Sequence, residues 1–141
     1  MDTENLISTL IKQHRELQKK IGLVLDFSLK IDYDAAKILQ ALAAFKNNLG
    51  EHLKLENDIF YVELIKKMKA KNLDIAKTEL FIKEMDDIAN AVTIFLDSYT
   101  ETAAISQKID ELRQTLPNII NTLNLRIESE ESGVYAYWAA L

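Results

Sequence analysis

An up-down-up-down, all-α four-helix bundle is the fold class this sequence predicts, on three observations. Helix breakers are scarce, with 3 glycines and 1 proline in 141 residues, while Leu, Ile, Ala, Lys and Glu favour helices. Four long stretches repeat apolar residues every three to four positions, the period of a helix with one buried face. Short turns separate them, with no linker or low-complexity segment, and short connections make consecutive helices antiparallel. At 48% hydrophobic residues the chain can fill a core, and its length suits one domain spanning 1–141.

The first helix is expected over about 3–30. Asp2 and Thr3 are candidate caps, and Glu4 suits the positive end of the helix. Its stripe is Leu6, Leu10, Leu17, Ile21 and Val24, with His14 inside it. Ile31-Asp32-Tyr33-Asp34 reads as a turn, with Asp34 the N-cap of a second helix over about 35–70. Two heptad rows run along that helix: Ile38, Phe45, His52, Ile59 and Leu42, Leu49, Glu56. Lys66, Lys67, Lys69 and Lys71 suit its negative end and are expected to be solvated. Asn72-Leu73-Asp74 forms the next turn and cap. A third helix follows over about 74–102, with seam Thr78, Phe81, Met85, Ile88, Val92, Phe95 and Tyr99. The fourth covers about 106–136, with seam Leu112, Leu116, Ile119, Leu123, Arg126 and Glu130. Pro117 lies inside it and is expected to kink or divide it.

The bulk numbers exclude several functions. A net charge of −5 with no dominant basic patch argues against nucleic-acid binding. The chain has no cysteine, which removes disulfides, thiolate zinc sites and cysteine catalysis. No apolar run approaches the roughly 18 residues of a membrane span. The acidic Met1-Asp2-Thr3-Glu4-Asn5 lacks the basic region of a signal peptide. The expectation is a soluble, cytoplasmic protein without a membrane partner.

Polar residues occupy seam positions that should be apolar. His52 and Glu56 lie one turn apart on one face of the second helix, and His14, Arg126 and Glu130 sit on other seams. Burying imidazoles and carboxylates is costly without partners. The two halves also echo each other. His52-Leu53-Lys54-Leu55-Glu56 leads to Phe60-Tyr61, and Arg126-Ile127-Glu128-Ser129-Glu130 leads to Val134-Tyr135. This suggests a polar cluster built by both halves at one level of the bundle. Two imidazoles and two carboxylates from three helices form a donor set suited to iron, zinc or manganese. Glu84, Asp86 and Asp87 flank Met85 but fall off the seam, so they are read as surface residues. Tyr61 and Tyr135 are read as packing residues with a polar tip.

These residues resemble the hemerythrin-like family, the HHE cation-binding domain, over nearly the whole chain. The family presents one His on the first helix, His-x-x-x-Glu on the second, one His on the third and His-x-x-x-Glu on the fourth. His14, His52, Glu56 and Glu130 match that pattern. Met85, in Phe81-Ile82-Lys83-Glu84-Met85, stands at the third-helix His, and Arg126 stands at the fourth-helix His. The resemblance implies metal held by His14, His52, Glu56 and Glu130, with the half-site of the other two imidazoles lost. A guanidinium is cationic and cannot ligate, so Arg126 is expected to replace the second metal's charge by holding Glu56 or Glu130. The implied cofactor is one iron ion rather than two, with zinc or manganese as alternatives, or none at all.

Three functions follow, none of them clearly enzymatic. The first is a degenerate hemerythrin-like metal-binding domain with a redox, oxygen or metal sensing role. The second is a metal-free regulatory bundle with a protein partner, analogous to helical anti-sigma regulators. The third is a histidine phosphotransfer domain, suggested by His52-Leu53-Lys54, which requires an exposed His52.

Overall fold

The computed structural model describes residues 3–141 in backbone and 5–141 in side chain. The caps expected at Asp2 and Thr3, and the role of Glu4, lie outside the described side chains. All described secondary structure is helical. Helix α1 covers Thr3–Ser28. Helix α2, Ala35–Leu55, continues through a π turn, Glu56–Phe60, into α3, Tyr61–Ala70. Helix α4 is Ala76–Asp97. A short helix α5, Thr102–Gln107, leads into α6, Ile109–Ser132, and α7, Val134–Ala140, ends the chain. The bundle's four rods are α1, α2–α3, α4 and α6–α7. Helix α1 packs between α2 and α6, and α2 also meets α4 and α5.

Local chemistry explains most boundaries. Asp34 caps α2, its carboxylate accepting from the Ala36 amide at 2.9 Å and the Lys37 amide at 3.4 Å. Helix N-terminal amides have no partner within the helix, so a short acidic side chain there is stabilising. The negative end of α1 is held by Arg113 of α6, which donates to the Ser28 carbonyl at 2.6 Å and the Lys30 carbonyl at 2.9 Å. After α3, Asn72 takes a positive φ of 57°, which asparagine tolerates better than most residues. Asp74 then accepts from the Ala76 amide at 3.0 Å.

The predicted stripes are largely those that pack. All six stripe residues of α1, His14 included, are buried. Thr78 and Val92 on α4, and Tyr99 just beyond its end, are buried, while Phe81, Met85, Ile88 and Phe95 are half-buried. The lysine run is mostly solvated, but Lys67 departs from expectation: its Nζ lies 4.3 Å from the centroid of the Trp138 ring.

Three expectations are corrected. Ile59 is 41% exposed, and Phe60, fully buried, takes its core position. The π turn inserts one residue, shown by the Tyr61 amide bonding the Glu56 carbonyl five residues back, so the heptad register slips by one. The third helix stops at Asp97 rather than near 102, and Ser98–Glu101 is non-helical. Pro117 does not divide the fourth helix; the breaks fall at Lys108, between α5 and α6, and at Gly133, between α6 and α7. Pro117 is on the exposed face of α6, where the carbonyl left without its amide partner can bond water.

The buried side chains form two apolar clusters. One joins Leu17, Ile21 and Val24 to Phe45, Leu49, Val92, Leu116 and Leu123. The other joins Leu6 and Leu10 to Phe60, Tyr61, Leu64, Val134, Tyr135 and Trp138. Along each contributing rod, the residues between the clusters are polar: His14 on α1, His52 and Glu56 on the second rod, Glu130 on α6. The bundle therefore carries one polar layer across its dry interior.

Candidate metal centre

That layer is closed to solvent: His14 and Glu56 are 0% exposed, Glu130 1% and His52 3%. One potential ligand atom from each of the four lies within 4.8 Å of all the others. The two imidazole centroids are 4.6 Å apart. The sequence-predicted set thus converges from three rods, because each residue replaces an apolar side chain on an inward stripe.

Hydrogen bonds orient the rings. Nδ1 of His52 contacts Gln13 Oε1 at 2.8 Å, leaving Nε2 facing Glu56 Oε2 at 3.4 Å. Nδ1 of His14 contacts Glu131 Oε2 at 2.7 Å, leaving Nε2 facing Glu130 Oε1 at 3.1 Å. Both Nε2 atoms therefore point at carboxylates inside the layer. The tyrosines cross between halves. Tyr61 donates to Glu130 Oε2 at 2.9 Å, and Tyr135 donates to Glu56 Oε2 at 2.6 Å.

The electrostatics follow from burial. Burial alone would raise the Glu56 carboxyl, but the approach of His52, Glu130 and the Tyr135 hydroxyl outweighs it and holds the group down at about 2. Burial and then the neighbouring Glu56 push Glu130 up to about 10. Two carboxyls this close in a dry site do not both ionise without a cation, so the pair keeps one proton between them. Burial lowers His14 against the opposing pull of Glu131. Burial and the two glutamates raise both tyrosines, keeping them neutral donors.

The residues fit a cation. Glu56 Oε1 is fully buried and has no hydrogen-bond partner, an unfavourable state that a bound ion relieves. The donors are two imidazoles and two carboxylates, a mixed set suited to borderline divalent metals. A cavity of about 30 Å³ adjoins the layer, lined by His14, His52, Glu130, Leu49, Met85 and Arg126 among others. Met85 and Arg126 thus border the same space as the imidazoles.

The pairing expected of Arg126 is corrected. Its guanidinium bonds Glu84 Oε2 at 3.1 Å and lies 5.6 Å from the centroid of the Phe81 ring. The long side chain reaches outward to α4 and keeps its charge near water; the neutralising partner of the glutamate pair is a proton. Glu84, Asp86 and Asp87 are exposed, as their offsets implied. His52 is buried, which removes the exposure that phosphotransfer needs.

Sequence reasoning missed Gln13 and Glu131 and read Tyr61 and Tyr135 as packing residues. The tyrosines had a signal: each lies five residues after its half's glutamate. Five residues along a regular helix point well away from the starting face. Only a helix irregularity after each glutamate brings the phenol back, and the chain has the π turn at 56–60 and the break at Gly133. Gln13 and Glu131 had no signal, since neighbours of inward residues are ordinarily on a different face.

A buried His/Glu donor layer inside a helical bundle is the arrangement on which carboxylate–histidine metal sites are built. The family model for the hemerythrin HHE cation binding domain matches residues 5–138, and the chain belongs to that family. No curated protein and no solved structure matches the chain. No described helix is long and apolar enough to cross a membrane.

Proposed function

We propose that this domain binds a single metal ion, iron, through His14, His52, Glu56 and Glu130, and that the loaded state serves in redox, oxygen or metal sensing. The carrying observation is the partnerless Glu56 Oε1 inside a dry layer where four donor atoms lie within 4.8 Å of one another. One ion is favoured over two because Met85 and Arg126 stand where the family's other two imidazoles fall, and a guanidinium cannot ligate. When bound, iron supplies a redox-active Lewis acid. The chain's own contribution is to present both Nε2 atoms, to hold Glu56 ionised and to exclude water. Zinc and manganese suit the same donors.

The test is metal analysis of untagged protein after anaerobic reconstitution. About one equivalent of iron, lost in His52→Ala and Glu56→Ala, supports the reading; less than a tenth of an equivalent of iron, zinc and manganese alike ends it. A metal-free regulatory bundle is the second reading. It is favoured by the near-complete hydrogen bonding of the layer, in which one proton balances the glutamate pair. A protein partner captured equally well by wild type and His52→Ala, with no metal bound, would establish it.

A further inference from the structure

We infer that Glu131 is a positioning residue that fixes the tautomer of His14 and so makes Nε2 the atom offered to the polar layer. This deepens the metal-binding reading and rests on it for its consequence, though not for its geometry. Glu131 stands one residue beyond Glu130 on α6 and is 20% exposed in its side chain. Its Oε2 meets Nδ1 of the fully buried His14 at 2.7 Å, and its Oε1 is held by Arg15 at the surface. A carboxylate only accepts, so Nδ1 must carry the ring proton and Nε2 is left with its lone pair. That lone pair faces Glu130 Oε1 at 3.1 Å. The carboxylate is pinned at both oxygens, so it also fixes the ring plane. Gln13 does the same for His52 at 2.8 Å, but as a neutral amide. The two imidazoles are therefore unequal. One ring is backed by an anion and the other by an amide, and in each the backing acceptor sets which nitrogen carries the proton.

Two measurements test this. In metal-free protein with ¹⁵N-labelled histidine, long-range proton–nitrogen correlations report which ring nitrogen carries the proton. His14 should be protonated at Nδ1 in wild type and in Glu131→Gln, which keeps an acceptor. Glu131→Ala should lose that preference. Anaerobic competition with a chelator for Fe(II) should show Glu131→Ala weaker by about 10- to 100-fold. Glu131→Gln should stay near wild type, and so should Glu128→Ala, an exposed neighbour in the same surface groove. Rescue by glutamine separates the contact to His14 from the ion pair with Arg15, whose charge partner is lost in both variants. A His14 ring protonated at Nε2 in wild type, or a Glu131→Ala protein with an unchanged tautomer, overturns the proposal. If wild type takes up no Fe(II), the metal reading fails and the tautomer alone decides the role of Glu131.

Discussion

Tyr61 and Tyr135 each serve the glutamate of the opposite half, at 2.9 Å and 2.6 Å. A buried acceptor that loses its donor is destabilised by about 1–3 kcal/mol, more when charged. Tyr135→Phe removes the donor to ionised Glu56, and Tyr61→Phe the donor to protonated Glu130. In metal-free protein, urea unfolding should show both variants destabilised, Tyr135→Phe by the larger amount. With metal bound the Tyr135→Phe loss should shrink, because an ion then stabilises the same carboxylate. Equal Tyr135→Phe losses with and without metal would mean that Tyr135 and the ion do not share Glu56. At the same scale, Arg126 shows how a long side chain escapes a seam. Its Cα lies on the inward stripe of α6, yet its charge pairs with exposed Glu84.

Two irregular helix segments place those tyrosines. At Gly133, a Cβ would lie 2.4 Å from the Ser129 carbonyl oxygen, closer than any relaxed contact allows. Gly133→Ala must push α6 and α7 apart, with an overpacking cost of about 1–3 kcal/mol. Thermal melting should fall accordingly, and the Tyr135 contact to Glu56 should lengthen in a crystal structure of the variant. An unchanged melting curve would show that the break tolerates a side chain. Helices α4 and α6 meet beside the layer at Met85 and Arg126, both lining the cavity with His14 and His52. Returning imidazoles there, as Met85→His with Arg126→His, should raise iron stoichiometry toward two equivalents by elemental analysis. No gain over wild type would count against the match between these positions and the family's remaining histidines.

For the whole molecule, the glutamate pair sets the pH response. Glu130 is raised to about 10, so the stability it contributes is present below its ordinary value of 4.5 and lost as pH rises toward 10. Glu56 is lowered to about 2, so its contribution is present above 4.5 and lost as pH falls toward 2. His14, lowered from 6.5, contributes stability above that value and loses it as pH falls. Toward pH 9 the Glu130 contribution falls away, and metal-free protein should lose stability there by on the order of 1 kcal/mol per pH unit. Urea titrations at several pH values measure this slope; a flat or rising profile would remove the shared proton from the account. A metal bound as proposed would take that proton's place. Its affinity should therefore rise with pH over the same range, with release of about one proton seen as a buffer-dependent binding enthalpy.

Much of this molecule was determined by the sequence alone. The 3.6-residue period of Leu6 to Val24 and of Ile38 to Leu49 gave the rods, since one-sided apolar stripes have no other way to leave water. The same period put His14, His52, Glu56 and Glu130 inside, and inward positions on packed rods converge whatever their chemistry. Tertiary structure alone decided how the layer is satisfied. Glu131 and Gln13 bond across rods from positions that face no seam, so no period in one helix reports them. The register slip that buries Phe60 in place of Ile59, and the outward reach of Arg126 to Glu84, depend equally on neighbours far away in sequence. A single helix specifies which face is wet; only the assembled bundle determines which polar atoms find each other within it.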